Sequence, residues 1–467
     1  MSSTFHRRPD AAAGPMRVVL ISTYDLGRQP FGLASPAAWL RAAGFQVRCS
    51  DLAVERLDEA AVAAARLIAF YLPMHTATRR AAEIAPRIRA LNPEAHLCFY
   101  GLYAPLNESF LRRLGAGTIV GGEFEGALVA LARELRDAPG PMEASAPEAV
   151  ANLRFRVPDR SDLPALARYA HVHLANGEQR TVGYTEASRG CKHLCRHCPV
   201  VPVYHGRFRV VQREVVIEDV RRQVLSGAEH ITFGDPDFWN GPTHAVSIVE
   251  ALHREHPRLS YDVTIKIEHL LKHRRHLAAL ARTGCLFVTS AVESLDDAVL
   301  ARLQKGHTRA DFVEAVKLCR ESGLILNPTF IAFHPWLSLR GYLELLSTIA
   351  DLELVDQVAP VQLALRLLVP RGSRLLELPE VRARVGPFDD SALVYPWEHD
   401  DARVDALQRS AMATVERETA RGAGRRQVFG RLLELAADAA GESARPLDAA
   451  WWRHRVAVPY LTEPWYC

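Results

Sequence analysis

Three cysteines stand close together in the middle of the chain, at Cys191, Cys195 and Cys198. A cubane iron–sulfur cluster normally takes four thiolate ligands, so a compact set of three leaves one iron open to a group that is not protein. An open iron of this kind can pass an electron into a bound molecule. The residue types and their spacing therefore predict a cluster that starts radical chemistry.

The spacing is Cys-x3-Cys-x2-Cys, and it follows an extended run over residues 181–186. This arrangement resembles the motif of the radical S-adenosylmethionine (SAM) superfamily. In that family the open iron chelates the methionine end of SAM, and reductive cleavage yields a 5′-deoxyadenosyl radical that abstracts hydrogen from unactivated carbon. The resemblance implies a 4Fe–4S cluster on the three cysteines. It also implies an adenine contact for His197, since the family usually carries an aromatic residue beside the third cysteine.

Two other uses of the cysteines stay open at the level of sequence. A structural zinc site has suitable ligands, because three histidines lie near the cysteines at His193, His197 and His205. Structural zinc ligands usually come as two separated pairs, however, and this pattern is absent here. A non-enzymatic iron–sulfur protein that carries electrons is the other alternative. Neither role needs an elaborate set of polar residues at the ends of strands.

Such polar residues follow the predicted core strands, at the positions where parallel barrels collect their functional groups. Gly234, Asp235 and Asp237 follow the second strand, where the resembled family has a Gly-Gly-Glu-like segment that receives the amino group of SAM. Glu293 and Ser294 end the fourth strand, at the position that binds the ribose and the carboxylate in that family. The resemblance therefore implies that these five residues bind SAM.

Four further residues are candidates for contact with substrate or SAM. Lys266 and Glu268 follow the third strand, and His334 follows the fifth. Arg366 is a charge inside the apolar run predicted as the sixth strand, so we expect it either to point into the barrel or to belong to a buried ion pair.

The alternation of strand and helix patterns predicts an α/β protein with two domains and a helical end. Residues 1–15 are predicted to be disordered. Residues 16–135 read as a doubly wound, Rossmann-type domain, and residues 136–160 as a linker. A partial (βα)6 barrel is predicted over 161–384, with strands at 181–186, 229–233, 260–266, 285–291, 325–332 and 360–368. Residues 385–467 are predicted to form a helical C-terminal region and tail.

The order of the first domain resembles the cobalamin-binding domain that precedes many radical SAM cores. Base-off cobalamin proteins place Asp-x-His-x-x-Gly after the first strand, whereas this chain has Asp25-Leu26-Gly27-Arg28 and offers no histidine there. No lower axial ligand can therefore be named. Cobalamin binding and a purely structural role both stay open for this domain.

Three motifs, at residues 234–238, 264–269 and 328–336, resemble one radical SAM group named for a Cys-Cys-Ala-Glu-Pro or Cys-selenocysteine-Ala-Glu-Pro tail. The sequence ends Thr-Glu-Pro-Trp-Tyr-Cys, which would be the lead-in and first cysteine of that tail. We therefore expect Cys467 to be a redox-active tail residue. A stop read at a selenocysteine codon is one expectation, and a genuine end at Cys467 is the other.

Composition sets limits on localisation and partners. The 467 residues carry a net charge of +3, which gives no argument for nucleic acid as a partner. No apolar run approaches a membrane span, and scattered cysteines fit a reducing compartment, so a cytoplasmic location is expected. The resemblance implies a small-molecule or peptide substrate and a reductant such as flavodoxin or ferredoxin. If cobalamin binds, we expect radical methyl transfer. If it does not, we expect hydrogen abstraction followed by rearrangement, oxidation or sulfur insertion.

Overall fold

Two separate sheets organise the protein in a computed structural model that describes residues 15–137, 144–145, 153–443 and 458–462. The first unit takes the chain up to Tyr24 together with Pro30–Leu163. The second takes Asp25–Gln29 and the chain from Pro164 onward. Most of the predicted disordered N-terminus and of the predicted linker lies outside the described residues, as does Cys467.

The first unit alternates strands and helices and confirms the predicted doubly wound domain. Its sheet is parallel throughout, in the order β2-β1-β3-β4-β5-β6. The elements are β1 (Arg17–Ser22), α1 (Phe31–Ala42), β2 (Gln46–Asp51), α2 (Glu59–Ala64), β3 (Leu67–Tyr71), α3 (His75–Leu91), β4 (His96–Tyr100), α4 (Glu108–Arg113), β5 (Thr118–Val120), α5 (Phe124–Asp137) and β6 (Ala144–Ser145).

Both faces of this sheet are buried, which explains why its strands read as continuous apolar runs. Val18 and Leu20 face one side of the sheet and share a core with α1 and α5. Val19 and Ile21 face the other side and pack with residues of α2, α3 and α4. Because successive side chains of a strand point to opposite faces, one apolar run serves two cores.

The second unit contains the barrel strands and the helical C-terminal region. Its elements are β7 (His171–His173), β8 (Gln179–Thr185), β9 (Ser188–Gly190), α6 (Val201–Tyr204), β10 (Phe208–Val210), α7 (Arg213–Leu225), β11 (His230–Phe233), α8 (Pro242–Glu255), β12 (Ser260–Thr264), α9 (Ile267–Lys272), α10 (Leu277–Arg282), β13 (Cys285–Glu293), α11 (Asp297–Leu303), α12 (Arg309–Glu321), β14 (Ile325–Phe330), α13 (Leu339–Asp351), α14 (Pro379–Arg382), α15 (Ala402–Ala420), α16 (Arg425–Ala440) and β15 (Tyr460–Leu461).

The larger sheet of this unit has the order β14-β13-β12-β11-β8-β7-β15. Strands β8 and β11–β14 are parallel, and five of the six predicted barrel strands are therefore confirmed. At the other edge β7 and β15 run antiparallel to their neighbours, and the Thr462 hydroxyl accepts a hydrogen bond from the His171 N–H, 291 positions earlier. The small strands β9 and β10 form a separate two-stranded sheet.

The sixth strand predicted at 360–368 is wrong in its form. Pro360–Leu363 is a 3-10 helix, and the chain after it makes an isolated bridge between Phe333 and Arg366 rather than a ladder. Pro360 has no N–H to donate to a neighbouring strand, so the apolar run cannot begin as a paired strand. The bridge still keeps this segment beside the residues that follow β14.

The helical C-terminal region is confirmed, since α15 and α16 fill most of residues 402–440. Within the described ranges, no helix has both the length and the apolar character that crossing a membrane would require.

Candidate functional site

The three cysteines lie in the loop that joins β9 to α6. Gly190 precedes the loop with φ +73°, and a Cβ there would lie 2.5 Å from the Arg207 carbonyl oxygen, so the sharp entry into the loop requires glycine. All three cysteines are free thiols. Burial raises the pKa of Cys191 to about 11 and that of Cys198 to about 12. Metal binding would therefore displace protons from these thiols.

A residue of the cysteine loop also belongs to a compact set of possible metal ligands. Within residues 15–137, 153–443 and 458–462, the one group whose three metal-ligand atoms all lie within 4.8 Å of one another is His193, Asp237 and His269.

Asp235 anchors β9 and the residue before it. Its Oδ2 accepts from the Ala187 N–H at 2.9 Å, and its Oδ1 accepts from the Ser188 hydroxyl at 2.5 Å. Packing within the protein also requires a glycine at position 234, because a Cβ on Gly234 would lie 1.7 Å from the Tyr184 hydroxyl oxygen. The Gly-Asp pair therefore packs β11 against the β8–β9 connection.

We expect the Asp235→Asn variant to lose a pH dependence that the wild type has. Burial raises the pKa of the Asp235 carboxyl to about 7, against the opposing hydrogen bonds from Ser188 and Ala187. An ordinary carboxyl titrates near about pH 4, so the contribution of Asp235 to stability is complete below that pH and is lost as the pH rises through about 7. Urea unfolding between about pH 5 and pH 8 should show the wild type weakening relative to the variant.

The control is Asp389→Asn. Hydrogen bonds from Ser391 and Ala392 lower the pKa of Asp389, so this exposed carboxylate is already ionised across that range. Asp389→Asn should keep the wild-type pH dependence. A wild type and an Asp235→Asn variant that change in parallel between the two pH values would contradict the assignment.

Asp237 holds a histidine pair that reaches the cysteine loop. It is fully buried, its Oδ1 accepts from the Trp239 N–H at 3.0 Å, and its Oδ2 lies 2.6 Å from Nδ1 of His269. His269 Nε2 lies 3.1 Å from His193 Nε2. Asp237, His269 and His193 are therefore in contact one after another, from the segment after β11 to the cysteine loop. Sequence patterns place His269 beside Lys266 and Glu268, but nothing in them signals its contact with the loop.

Asn240 fastens the start of the cysteine loop. Its Nδ2 donates to the Gly190 carbonyl at 3.2 Å, and its Oδ1 accepts from the Lys192 N–H at 3.2 Å. Together with Asp235 and Asp237, it makes the segment after β11 the main support of the loop.

Glu293 lies at the end of β13 with φ +70°, a left-handed conformation that is uncommon for a residue other than glycine. One carboxylate oxygen, Oε1, lies 3.0 Å from His197 Nε2 and 3.3 Å from Lys305 Nζ. Burial alone would raise the pKa of Glu293, but the charges of Lys305 and His197 outweigh it and lower the pKa to about 2. The carboxylate is therefore ionised and fixed beside the loop.

Lys305 is a site residue that the sequence motif does not reveal. Its Lys-Gly turn suggests a helix cap, and Gln304 with φ +56° does end α11 in the left-handed conformation. The Lys305 side chain, however, is 3% exposed. Burial opposes its charge, but Glu293, Cys195 and Cys198 raise its pKa, so a buried ammonium lies near two of the three cysteines.

Lys266 and Glu268 lie near His193 of the cysteine loop. Their side chains lie 3.4 Å apart, and Glu268 Oε2 lies 3.6 Å from His193 Nδ1. A Cβ on Gly306 would lie 2.6 Å from Glu268 Oε2, so the glycine lets the 305–307 turn approach the start of α9. Ser294 also lies at this edge, where its hydroxyl oxygen accepts from the Asp296 N–H.

His334 has a ring nitrogen without a partner among the described residues, whereas Arg366 is held in an ion pair. His334 is buried, its Nδ1 has no hydrogen-bond partner among the described residues, and burial lowers its pKa to about 4. Arg366 is paired with Asp405 at 2.6 Å, and its guanidinium lies 3.5 Å from the centre of the Trp397 ring. A partly exposed ion pair is therefore the arrangement at Arg366.

Residues 185–345 match the family profile described as the Radical SAM superfamily. The chain is similar to hopanoid C-3 methylase of Methylococcus capsulatus, with 26% identity over 66% of this chain and 62% of that protein. It is also similar to tRNA-2-methylthio-N(6)-dimethylallyladenosine synthase of Desulfosudis oleivorans, with 25% identity over 43% of this chain and 45% of that protein. The chain spans less than two thirds of the length of either relative.

Two solved structures share the fold across both units. The radical SAM methyltransferase TsrM of Kitasatospora setae, solved with cobalamin and a 4Fe–4S cluster, superposes with a TM-score of 0.62 at 17% identity and covers 80% of this chain and 76% of its own. The cobalamin-dependent SAM radical enzyme OxsB superposes with a TM-score of 0.67 at 14% identity, covering 87% of this chain and 67% of its own. The cysteine loop lies inside residues 185–345, the region that matches the Radical SAM superfamily.

Proposed function

We propose that Cys191, Cys195 and Cys198 hold a 4Fe–4S cluster at which SAM is reductively cleaved. The observation that carries this proposal is a loop of three free thiols that lies inside the region matching the Radical SAM superfamily. When bound, the cluster and SAM supply a 5′-deoxyadenosyl radical that removes hydrogen from unactivated carbon.

The residues around the loop suit the parts of SAM. Glu293 uses Oε1 for His197 and Lys305, which leaves Oε2 for ribose hydroxyls. Lys266 and Glu268 offer one cation and one carboxylate side by side, which matches the carboxylate and ammonium of an amino acid. Gly234, Asp235 and Asp237 remain candidates for the amino group of SAM, and we add Lys266 and Glu268 as candidates for its amino-acid end.

The first unit supports cobalamin-dependent methyl transfer as the overall reaction. In sheets of its strand order, ligands bind beyond the carboxyl ends of the strands, where β1 and β3 diverge. Ser22 ends β1, Ser50 is the last residue but one of the neighbouring β2, and their buried hydroxyl oxygens have no hydrogen-bond partner among the described residues. Such orphaned groups fit a polar cofactor. The solved relatives named for cobalamin and the relative named a methylase favour the same reaction.

Methylthiolation, a form of sulfur insertion, is the second candidate, because several relatives are named for it. Those relatives align with at most 43% of this chain, whereas the methylase aligns with 66%. The wider alignment favours methyl transfer. A small molecule is the expected substrate, and an external reductant such as flavodoxin or ferredoxin would supply the electron.

The cobalamin proposal predicts that removing two hydroxyl groups weakens cofactor binding without weakening the fold. We expect the full-length chain, purified anaerobically, to retain about one hydroxocobalamin after gel filtration. In the Ser22→Ala/Ser50→Ala variant, cobalamin affinity should fall at least tenfold by equilibrium dialysis. Its melting temperature should not fall, because neither hydroxyl makes a hydrogen bond within the described residues.

Ser35→Ala is the matched control in the same unit. The Ser35 hydroxyl donates to the Glu125 carboxylate, so this variant should lose stability and keep its cobalamin affinity. A wild type that binds no cobalamin at micromolar concentration would reduce the first unit to a structural role and favour the non-methylating reaction.

A further inference from the structure

A cavity of about 170 Å³ lies inside the second unit and is lined by four of the barrel strands. Thr232 of β11, Thr264 of β12, Thr289 of β13 and Asn327 of β14 all face it. The 3-10 helix after α13 contributes Gln362, and the start of α16 contributes Arg425. The cavity is therefore bounded by side chains from both the barrel and the helical C-terminal region.

The interior of this sheet changes character along the strands. At one level Val182 and Phe287 pack with Val172 in a small apolar cluster. At the next level Thr264 pairs in register with Thr289, and Thr289 pairs with Asn327, which sets three polar side chains in a row across three strands. Barrel interiors are usually filled by branched apolar residues at such positions. A row of polar side chains at these positions therefore indicates a role other than packing of the core.

Hydrogen-bonding groups in this layer are not all used by the protein. Asn327 Oδ1 and Gln357 Oε1 both line the cavity, are buried and have no partner among the described residues. Asp262 differs, since its Oδ1 accepts from both His230 and Thr232. Both amide oxygens can therefore accept hydrogen bonds from a ligand in the cavity.

Arg425 adds a positive charge to the cavity wall. Its guanidinium donates to the backbone oxygen of Asp356, while the Asp356 carboxylate is bound by Arg426. Arg425 also lies 5.3 Å from the centre of the Tyr460 ring. Within the described part of the chain it makes no ion pair with a carboxylate, so its charge is free to bind an anion.

We propose that this cavity binds a small, polar, anionic molecule, with a carboxylate or phosphate at Arg425 and hydroxyl or amide groups along the row of Thr264, Thr289 and Asn327. The identification of this ligand as the substrate rests on the proposed function; the binding itself does not. A hopanoid, the compound class in the name of one relative, is an almost wholly apolar polycycle and would leave these polar groups unpaired.

The test is ligand-observed saturation-transfer NMR on the full-length reconstituted protein. The probes are gluconate and glycerol 3-phosphate as anionic polyols, sorbitol as a neutral polyol, choline as a cation, and the hopanoid diploptene in detergent micelles. We expect the anionic polyols to bind at least fivefold more tightly than sorbitol, and choline and diploptene not to bind. Comparison of the affinities for gluconate and glycerol 3-phosphate shows whether the site prefers a carboxylate or a phosphate.

Two variants locate the binding. Arg425→Leu should weaken the anionic polyols at least fivefold, and the nearly isosteric Thr289→Val should weaken all polyols while preserving the fold. Arg431→Leu is the control, because Arg431 lies on the same helix with its side chain 61% exposed and paired with Glu434. Its binding should equal that of the wild type.

The proposal is overturned if the anionic polyols bind equally to wild type, Arg425→Leu and Thr289→Val, if none of them binds to cluster-loaded protein, or if diploptene binds in preference. Iron content and SAM cleavage are measured on the same samples. Loss of SAM cleavage with retained polyol binding would count against the proposed function alone, whereas full SAM cleavage without polyol binding would count against the anionic ligand alone.

Discussion

Replacing Cys195 with alanine will abolish both the cluster and the cleavage of SAM. Cys195 is the most buried of the three cysteines and lies in the middle of the loop, so no other thiol in the loop can replace it. The wild type should carry about four iron and four sulfide per chain after anaerobic reconstitution. The variant should lose the iron-dependent absorbance and form no 5′-deoxyadenosine, as measured by chromatography.

Cys319→Ala is the matched control for this experiment. Cys319 is buried on α12, and burial raises its pKa to about 12, as expected for an inert structural thiol. Its variant should keep full iron content and full SAM cleavage. Stoichiometric zinc in the native protein, together with 5′-deoxyadenosine formation that survives Cys195→Ala, would refute the assignment of the cluster to this loop.

Replacing Lys305 with methionine will destabilise the folded chain by about 3 kcal/mol, because it leaves the buried Glu293 carboxylate without its ammonium partner. Glu293 cannot escape to water, since its side chain is 9% exposed and its backbone is fixed in a left-handed conformation. Urea unfolding of the cluster-free protein measures the loss. We also expect less cluster to be incorporated, because the ammonium lies near Cys195 and Cys198.

The double variant Lys305→Met/Glu293→Gln separates charge from packing. Removing both charges should restore most of the stability that the single change takes away, because no unpaired charge remains. Lys317→Met on the exposed face of α12 should change stability by less than about 0.5 kcal/mol. A double variant as unstable as Lys305→Met would show that the ion pair does not stabilise the fold.

Elements with a strong apolar period could be predicted from the sequence. The doubly wound first unit and five of the barrel strands were predicted correctly because buried parallel strands give continuous apolar runs. The run at 360–368 has the same composition, but Pro360 prevents it from starting a ladder. The hydrophobic pattern of a segment indicates that it is buried. To pair as a strand, the segment also needs backbone N–H groups in register with its neighbour.

The site was predictable to the level of segments and not of individual atoms. The motif located the cysteine loop, and the ends of the strands pointed to Glu293, Lys266 and Glu268. The partners of Asp235, Asp237 and Arg366 lie in other segments of the chain, at Ser188, His269 and Asp405. Because such partners are set by tertiary packing, a local motif could not tell a ligand-binding carboxylate from one that holds a loop.

The pairing of β15 with β7 bears on how the enzyme is made. Ribosomes release the chain from its N-terminus, so β7 and the whole parallel sheet exist before β15 has been synthesised. During that interval the edge of β7 presents unpaired N–H and C=O groups, the usual starting point for misassembly between nascent chains. Final closure of this edge depends on a contact of very long sequence separation, which forms late and slowly. Expression at lower temperature or with chaperones should therefore raise the yield of correctly folded enzyme.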